Sequence, residues 1–486
     1  MAGGKARVRS KLTAAVAGPA VCGLLLAVPT GSLAGSAKVV TAVVAWMAIW
    51  WVTEAVPLAV TSLLPLVLFP VLGIRSVRDV APNYGNHMVF LFLGGFVMAL
   101  AVERSALHRR IALRALDLFG GSPRRQVWGF LAVTAILSMW LSNTATTLMM
   151  LPIAAGVAAR LTDDVARPRL MLAVAYGASI GGLGTLVGTP PNLVLAGMAP
   201  KIVDGLPAIG FGQWMLFGVP FVLLMLPAAA LFLGRGLGHG AGGGNDEVVR
   251  ELAELGPLTP FERRAGVLFL ATALAWITRA GFDLGSLHVP GWAALLPDPG
   301  AVKDSVPAIA AAILAALIPR GGGDRAPLVS WDDIRHGLPW GVLLLFGGGF
   351  AVADVVHASG LDRWLAGNLD GLGSLPLPLT ILAIAVVAMI TTEFTSNTAT
   401  ATLLVPVMAA VAEAIHVPPY LVMVPAAVAC SCAFMLPVAT PPNAIVIGSG
   451  YVTPRELFTE GFRLNLFSAV LITILVLTLG RLVLPM

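Results

Sequence analysis

Long apolar runs alternate with short polar breaks along this chain. Runs such as Trp46 to Phe69, His87 to Val102, Phe211 to Leu233 and Leu464 to Leu479 are long enough, as helices, to traverse a hydrocarbon layer of about 30 Å. The pattern predicts spans near 14–33, 39–53, 55–73, 87–103, 170–199, 212–233, 262–280, 304–319, 338–358, 419–448 and 462–483, eleven crossings in all. Two further apolar stretches, 126–160 and 376–415, are too long for one straight span at a rise of about 1.5 Å per residue. Each is predicted to turn back inside the membrane. The expected fold class is therefore an all-α polytopic membrane protein, with about eleven transmembrane helices plus two re-entrant helical hairpins.

Composition agrees: 57% of the 486 residues are hydrophobic and 11% charged, which excludes an ordinary soluble domain. The net charge of +5 reports orientation rather than affinity for nucleic acid. With the N-terminus in the cytoplasm, most of the 30 Lys and Arg fall on the inner side, the bias expected of a multi-pass protein of the cell inner (plasma) membrane. Arg104, Arg109, Arg110, Arg114, Arg124 and Arg125 belong to that set and flank a segment, 104–118, predicted to lie along the interface as an amphipathic helix. The basic run Lys5, Arg7, Arg9 and Lys11 has the look of a secretory signal, but the Gly/Pro-interrupted run after it reads as a retained first helix. Arg235 to Pro260, with its Gly240–Gly244 run and Asp246, Glu247, Glu251 and Glu254, reads as a linker between halves. Cys22, Cys430 and Cys432 lie in apolar segments without metal-site spacing and read as packing residues.

The halves repeat. Phe92-Leu-Gly-Gly-Phe96 returns as Phe346-Gly-Gly-Gly-Phe350, and Ser142-Asn-Thr-Ala-Thr146 returns as Ser396-Asn-Thr-Ala-Thr400, both 254 residues later. Thr189-Pro-Pro-Asn192 returns as Thr440-Pro-Pro-Asn443, 251 residues later. Each unit holds an odd number of crossings plus a hairpin, and the charge bias puts the first hairpin inside and the second outside. Two inverted repeats with a site at mid-membrane are the expectation.

At the centre of the uncharged stretch 126–159 lies Ser142-Asn143-Thr144, residue types that favour helix caps and turns. Polar caps there mark a broken helix. One arm ends in free carbonyls and the next begins with free N–H groups, so a single tip offers a cation seat and an anion seat. The Thr-Pro-Pro-Asn motifs split spans 170–199 and 419–448 in the same way, because Pro suits the first turn of a helix and breaks one upstream. Gly188 and Ala439 stand just before those breaks, where carbonyls can turn toward an ion. Four half-helix N-termini then converge and favour an anion. No Lys or Arg occurs in 126–159, 170–200 or 376–454, so bound cations must supply the remaining positive charge. Ser138 and Thr392 sit one helical turn before the tips, and hard oxygens without carboxylates suit a monovalent alkali ion.

Leu137-Ser-Met-Trp-Leu-Ser-Asn-Thr-Ala-Thr-Thr147, Ala178-Ser-Ile-Gly-Gly182 with Gly188-Thr-Pro-Pro-Asn192, Thr392-Glu-Phe-Thr-Ser-Asn-Thr-Ala-Thr400 and Phe434-Met-Leu-Pro-Val-Ala-Thr-Pro-Pro-Asn-Ala444 carry a resemblance. Through them the chain resembles the divalent anion/sodium symporters, INDY-like dicarboxylate and citrate transporters, over essentially its full length. The resemblance implies a homodimer with a static scaffold and a transport domain moving as an elevator. It implies one sodium site of Ser138, Ser142, Asn143 and Gly188, and a second of Thr392, Ser396, Asn397 and Ala439. Substrate carboxylates are implied at Asn143, Thr144, Asn397 and Thr398, with Thr189, Thr440 and Pro441 nearby. The division expected is a cytoplasmic N-terminus (1–13), first-half scaffold (14–118), first-half transport elements (119–234), cytoplasmic linker (235–261), second-half scaffold (262–370) and second-half transport elements (371–486).

The reading reached is sodium-coupled symport of a C4-dicarboxylate such as succinate, malate or fumarate, with no enzymatic activity. A sodium-independent dicarboxylate exchanger and a citrate or sulfate transporter are the alternatives on the same fold. Gly177-Ala-Ser179-Ile-Gly181 matches the nucleophile elbow of serine hydrolases in form, but no His lies at its predicted depth. A passive channel fits poorly with a site closed by two tips. Glu393, three residues before Ser396, reads as a brace for the hairpin rather than a proton carrier, and Glu54 and His87 as structural residues near the interfaces.

Overall fold

The computed structural model describes residues 2–28, 33, 35–161, 163–238, 245–284, 287–368 and 375–485. The chain is a helical polytopic membrane protein. Among the described residues, seven helices are long and apolar enough to cross a membrane, and shorter apolar helices stand beside them.

The first half comprises α1 (Ala2–Ala27), α2 (Ser36–Thr53), α3 (Leu58–Thr61), α4 (Leu64–Val71), α5 (Val77–Val80), α6 (His87–Arg104), α7 (Leu107–Asp117), α8 (Pro123–Ser138), α9 (Asn143–Arg160), α10 (Ala166–Gly182), α11 (Pro190–Ile202) and α12 (Phe211–Leu233). After α13 (Asn245–Glu254) come α14 (Pro260–Thr278), β1 (Gly281–Leu284), β2 (Leu287–Pro290), α15 (Ser305–Leu317), β3 (Pro319–Gly321), β4 (Asp324–Pro327), α16 (Trp331–Gly337), α17 (Trp340–Ala358) and α18 (Leu361–Gly367). The last stretch holds α19 (Leu377–Phe394), α20 (Asn397–Ala414), α21 (Tyr420–Cys430), α22 (Pro441–Gly448), α23 (Pro454–Leu475) and α24 (Arg481–Val483), the last two joined by a π-helical turn.

The two long stretches each fold as a helix pair, α8–α9 and α19–α20, and both Thr-Pro-Pro-Asn spans are split, as α10–α11 and α21–α22. The breaks follow local chemistry: Ser122 caps α8 with Pro123 in its first turn, while Thr189 and Thr440 precede prolines in extended backbone. The broken helices form the centre. α10 is buried along nearly its whole length and packs against α8, α9, α12 and α22. α11 packs against α17, α20 and α21, so each half-helix after a break lies against a hairpin of the other half.

Beside the helices, β1 pairs with β2 and β3 with β4 as short antiparallel ribbons. The second closes through Gly321, Gly322 and Gly323, all at positive φ, which glycine adopts without a Cβ clash. Span 55–73 is two helices, α3 and α4, parted at Ser62-Leu63, where the Ser62 carbonyl accepts a hydrogen bond from the Tyr84 hydroxyl. The basic N-terminal run is helical, α1 beginning at Ala2, and α1 ends at Ala27; residues 29–32 and 34 of the expected first span lie outside the described residues. The linker is not simply a loop. Its α13 packs on α7 and α9, with Glu251 paired to Arg109 at 2.9 Å and Glu247 to Arg160 at 2.5 Å. The Gly240–Gly244 run and the expected 370/371 boundary fall outside the described residues. Finally, the segment 104–118, predicted to lie along the interface and seen as α7, turns one of its arginines inward. Arg110 is buried, its Nε donating to Glu262 Oε1 at 2.6 Å and its Nη1 to the Gly256 carbonyl at 2.7 Å.

Candidate functional site

At each hairpin tip the first arm ends, the chain turns, and the second arm begins on an asparagine. The Ser138 hydroxyl, on the last turn of α8, donates to Asn143 Oδ1 at 2.7 Å. The Thr392 hydroxyl, two residues before the end of α19, donates to Asn397 Oδ1 at 2.7 Å. The five-residue spacing and the bond are the same in both tips, so the two copies share one local geometry. Ser138 and Thr392 are fully buried, whereas Asn143 and Asn397 are half-buried at the opening of the second arms.

A second acceptor meets the pair of the second tip. Thr392 Oγ1 lies 2.8 Å from the carbonyl of Cys430, the last residue of α21. A hydroxyl has one proton, so Thr392 Oγ1, Asn397 Oδ1 and the Cys430 carbonyl gather three oxygens around a single donor. On the other side Gly182 lies against the first tip. A Cβ built on Gly182 would come within 2.7 Å of Asn143 Oδ1 and 3.1 Å of the Gly188 carbonyl. In the second tip hydroxyl, amide and carbonyl oxygens meet, and in the first Asn143 Oδ1 and the Gly188 carbonyl both lie beside Gly182, hard oxygens of the kind that suit a small cation.

The joints between tip and broken helix use different chemistry in the two halves. In the first, Thr185 donates from its hydroxyl to the Met139 carbonyl at 2.5 Å and accepts from the Gly188 N–H at 3.1 Å. In the second, the position 254 residues after Met139 is Glu393, whose carboxylate accepts from the Met435 and Leu436 N–H groups and from Asn465 Nδ2, each at 2.9 Å. Glu393 is fully buried, both of its carboxylate oxygens held by these donors.

The tips connect through an unbroken series of contacts. Asn143 abuts Gly182, which abuts Thr189; the Thr189 hydroxyl lies 3.4 Å from that of Ser431; and Cys430, next in the chain, meets Thr392 and so Asn397. Thr189 and Thr440 are buried at the starts of α11 and α22, and Pro441 is exposed in the first turn of α22. No Lys or Arg occurs in 126–159, 170–200 or 376–454, the stretches around the tips and breaks. Ser142 is placed differently from its expected partners. It is exposed, and its hydroxyl accepts from the Ala145 N–H at 3.2 Å, capping α9. Ser396 begins α20 without such a bond, and Ala439 is buried one residue before α22's cap. Thr185 and the Cys430 carbonyl were not anticipated. A Thr four residues before the Thr-Pro-Pro motif was a usable signal for the first; a backbone oxygen leaves no residue-type signal at all. Ser179 is buried within α10, and no histidine contact is seen at its hydroxyl.

Comparison with known proteins places this arrangement in context. A family model described as the sodium:sulfate symporter transmembrane region matches residues 9–486. The chain is 38% identical over 468 residues to the sodium-dependent dicarboxylate transporter SdcS of Staphylococcus saprophyticus, covering 93% of this chain and 88% of that protein. It is 39% identical over 453 residues to SdcS of Staphylococcus aureus, covering 90% and 85%. Among solved structures, the YdaH transporter of Alcanivorax borkumensis aligns with a TM-score of 0.59 at 15% identity, over 84% of this chain and 89% of that one. MtrF of Neisseria gonorrhoeae aligns with a TM-score of 0.55 at 12% identity, over 82% of each. These two show likeness of fold alone. The full-length family match, together with relatives that share more than a third of their residues with it, shows that the chain belongs to the sodium:sulfate symporter family, the divalent anion/sodium symporters that its paired hairpin tips resemble.

Proposed function

We propose that the protein carries C4-dicarboxylates of the succinate, malate and fumarate type into the cell, coupled to sodium. The observation that carries this reading is the continuous contact series from Asn143 to Asn397, lined by oxygen acceptors and half-helix N-termini and lacking any Lys or Arg. Helix ends contribute only about 0.3–1 kcal/mol each, and up to about 2 when partly buried, too little to hold a dianion unaided at mid-membrane. Sodium at the two oxygen clusters supplies the missing charge. Relatives of more than a third identity are named sodium-dependent dicarboxylate transporters, which supports the same choice of ion and substrate.

In this reading Ser138, Asn143 and Gly188 hold one sodium ion, with Ser142 joining when its cap loosens. Thr392, Ser396, Asn397 and Ala439 hold the other, with the Cys430 carbonyl as a further ligand. Asn143, Thr144, Asn397 and Thr398 meet the substrate carboxylates, with Thr189, Thr440 and Pro441 beside them. The two halves are inverted repeats with re-entrant hairpins, the N-terminus is cytoplasmic, and the functional unit is a homodimer. Segments 119–234 and 371–486 move as an elevator against a scaffold of 14–118 and 262–370.

Labelled succinate uptake into proteoliposomes tests the reading. Uptake should follow an imposed sodium gradient, fail with potassium or lithium, and need no internal dicarboxylate; sulfate and citrate should compete weakly. Uptake that ignores sodium and requires internal dicarboxylate would make the protein an exchanger and overturn the coupling.

A further inference from the structure

Asn192 and Asn443, the last residues of the two Thr-Pro-Pro-Asn motifs, make the same pair of bonds at the same spacing. Asn192 Nδ2 donates to the Gly182 carbonyl at 3.1 Å and to the Thr185 carbonyl at 2.8 Å. Asn443 Nδ2 donates to the Ala433 and Leu436 carbonyls, both at 3.0 Å. Each amide thus reaches back ten and seven residues and ties the early part of the unwound stretch to the first turn of the following half-helix. Both side chains are fully buried. Because both N–H groups face carbonyls, the amide cannot be reversed without setting oxygen against oxygen, so its orientation is determined. Both Oδ1 atoms consequently point to a place where no protein donor meets them, in both halves.

An unwound, buried backbone needs a partner for every polar group, and spare carbonyls that swing freely make poor ion ligands. The clamp fixes where these carbonyls point. Gly182 and Thr185 in one half, and Ala433 and Leu436 in the other, each accept one amide N–H, while those of Gly188 and Cys430 stay beside the tips. Gly182 is also the residue against which Asn143 packs, so the clamp fixes one wall of the first oxygen cluster directly.

We propose that Asn192 and Asn443 are positioning residues for the two cation seats. Neither touches the ion; each holds the unwound stretch so that the tip asparagine and the remaining carbonyls keep the spacing a small cation requires. This rests on the sodium-coupled reading above. Partners that orient ligands from outside the coordination shell typically alter metal affinity by about 10–100-fold when removed. Either loss should therefore raise the sodium concentration for half-maximal effect by about tenfold or more, with the dicarboxylate KM at saturating sodium changed by less than about twofold, since saturating sodium refills the seats.

The test uses the full chain in detergent and in proteoliposomes: wild type, Asn192→Ala, Asn443→Ala and the isosteric Asn192→Asp and Asn443→Asp. Sodium is titrated against thermal unfolding, then against succinate uptake, and succinate KM is measured at saturating sodium. A raised sodium midpoint with a preserved KM supports the proposal. Folded variants with an unchanged midpoint, or with KM and midpoint shifted together, overturn it. Failure of both the Ala and Asp forms to fold overturns it as well, since the residue is then a general structural support. A wild type that shows no sodium response would defeat the sodium-coupled reading itself, an outcome distinct from these.

Discussion

Glu393 shows how one side chain does work that its counterpart leaves to the backbone. At the equivalent place in the first half stands Met139, whose carbonyl takes the Thr185 hydroxyl; Glu393 instead receives two backbone N–H groups and the Asn465 amide on its carboxylate. Glu393→Gln retains the size but offers one acceptor oxygen where two are used. Each hydrogen bond to a buried charge contributes about 1.5–3 kcal/mol, so the variant should lose stability by about that amount and transport more slowly, with its sodium dependence and pH profile unchanged. Thermal unfolding and uptake across a pH series check this; a flattened pH profile with normal stability would mark Glu393 as a proton carrier. At this scale much was legible beforehand. Ser-Asn-Thr in an uncharged stretch and a hydroxyl one turn earlier pointed to the tips, because cap chemistry is local. Contacts made by backbone oxygen, such as that of Cys430, depend on where two distant segments meet and carry no residue signature.

Whole elements follow the same division between what is local and what is not. The broken helices were readable from Thr-Pro-Pro-Asn, since proline dictates where a helix starts wherever it occurs. The split of 55–73 into α3 and α4 obeys the same rule, with Pro65 in the first turn of α4, and Tyr84 on the Ser62 carbonyl holds it from outside. Close approach of α10 to the first tip depends on Gly182. A methyl group there would stand 2.7 Å from Asn143 Oδ1 and 3.1 Å from the Gly188 carbonyl, so one of them must shift. Gly182→Ala should cut uptake by about tenfold or more while the protein still inserts and folds, on the scale of about 1–3 kcal/mol for overpacking. Succinate uptake normalised to folded protein checks it, and normal uptake would mean that the first tip tolerates displacement.

Across the whole molecule, the charge pattern that oriented the chain in the sequence concealed a structural contact. Arg110 counts toward the basic inner side, yet it is buried against Glu262 and donates to the Leu255, Gly256 and Pro257 carbonyls, joining α7 to the start of α14. Charge counting treats every arginine alike, and only packing separates a solvated one from a buried one. Removing one member of a buried pair costs about 3–5 kcal/mol, so Arg110→Ala should lower the melting temperature sharply or prevent accumulation, with Arg110→Lys intermediate. Fluorescence-detected size exclusion and thermal unfolding decide it; a wild-type melting profile for Arg110→Ala would show that the pair contributes nothing. The largest claim is that two tips from distant parts of the chain form one site. Equilibrium binding of labelled succinate to purified wild type, Asn143→Ala and Asn397→Ala, in sodium and in potassium, tests it most directly. Wild type should bind only in sodium and each variant should lose about tenfold or more in affinity while remaining folded, as expected when a ligand of both ion and substrate is removed; a folded variant of either asparagine that binds succinate like wild type would contradict the single shared site.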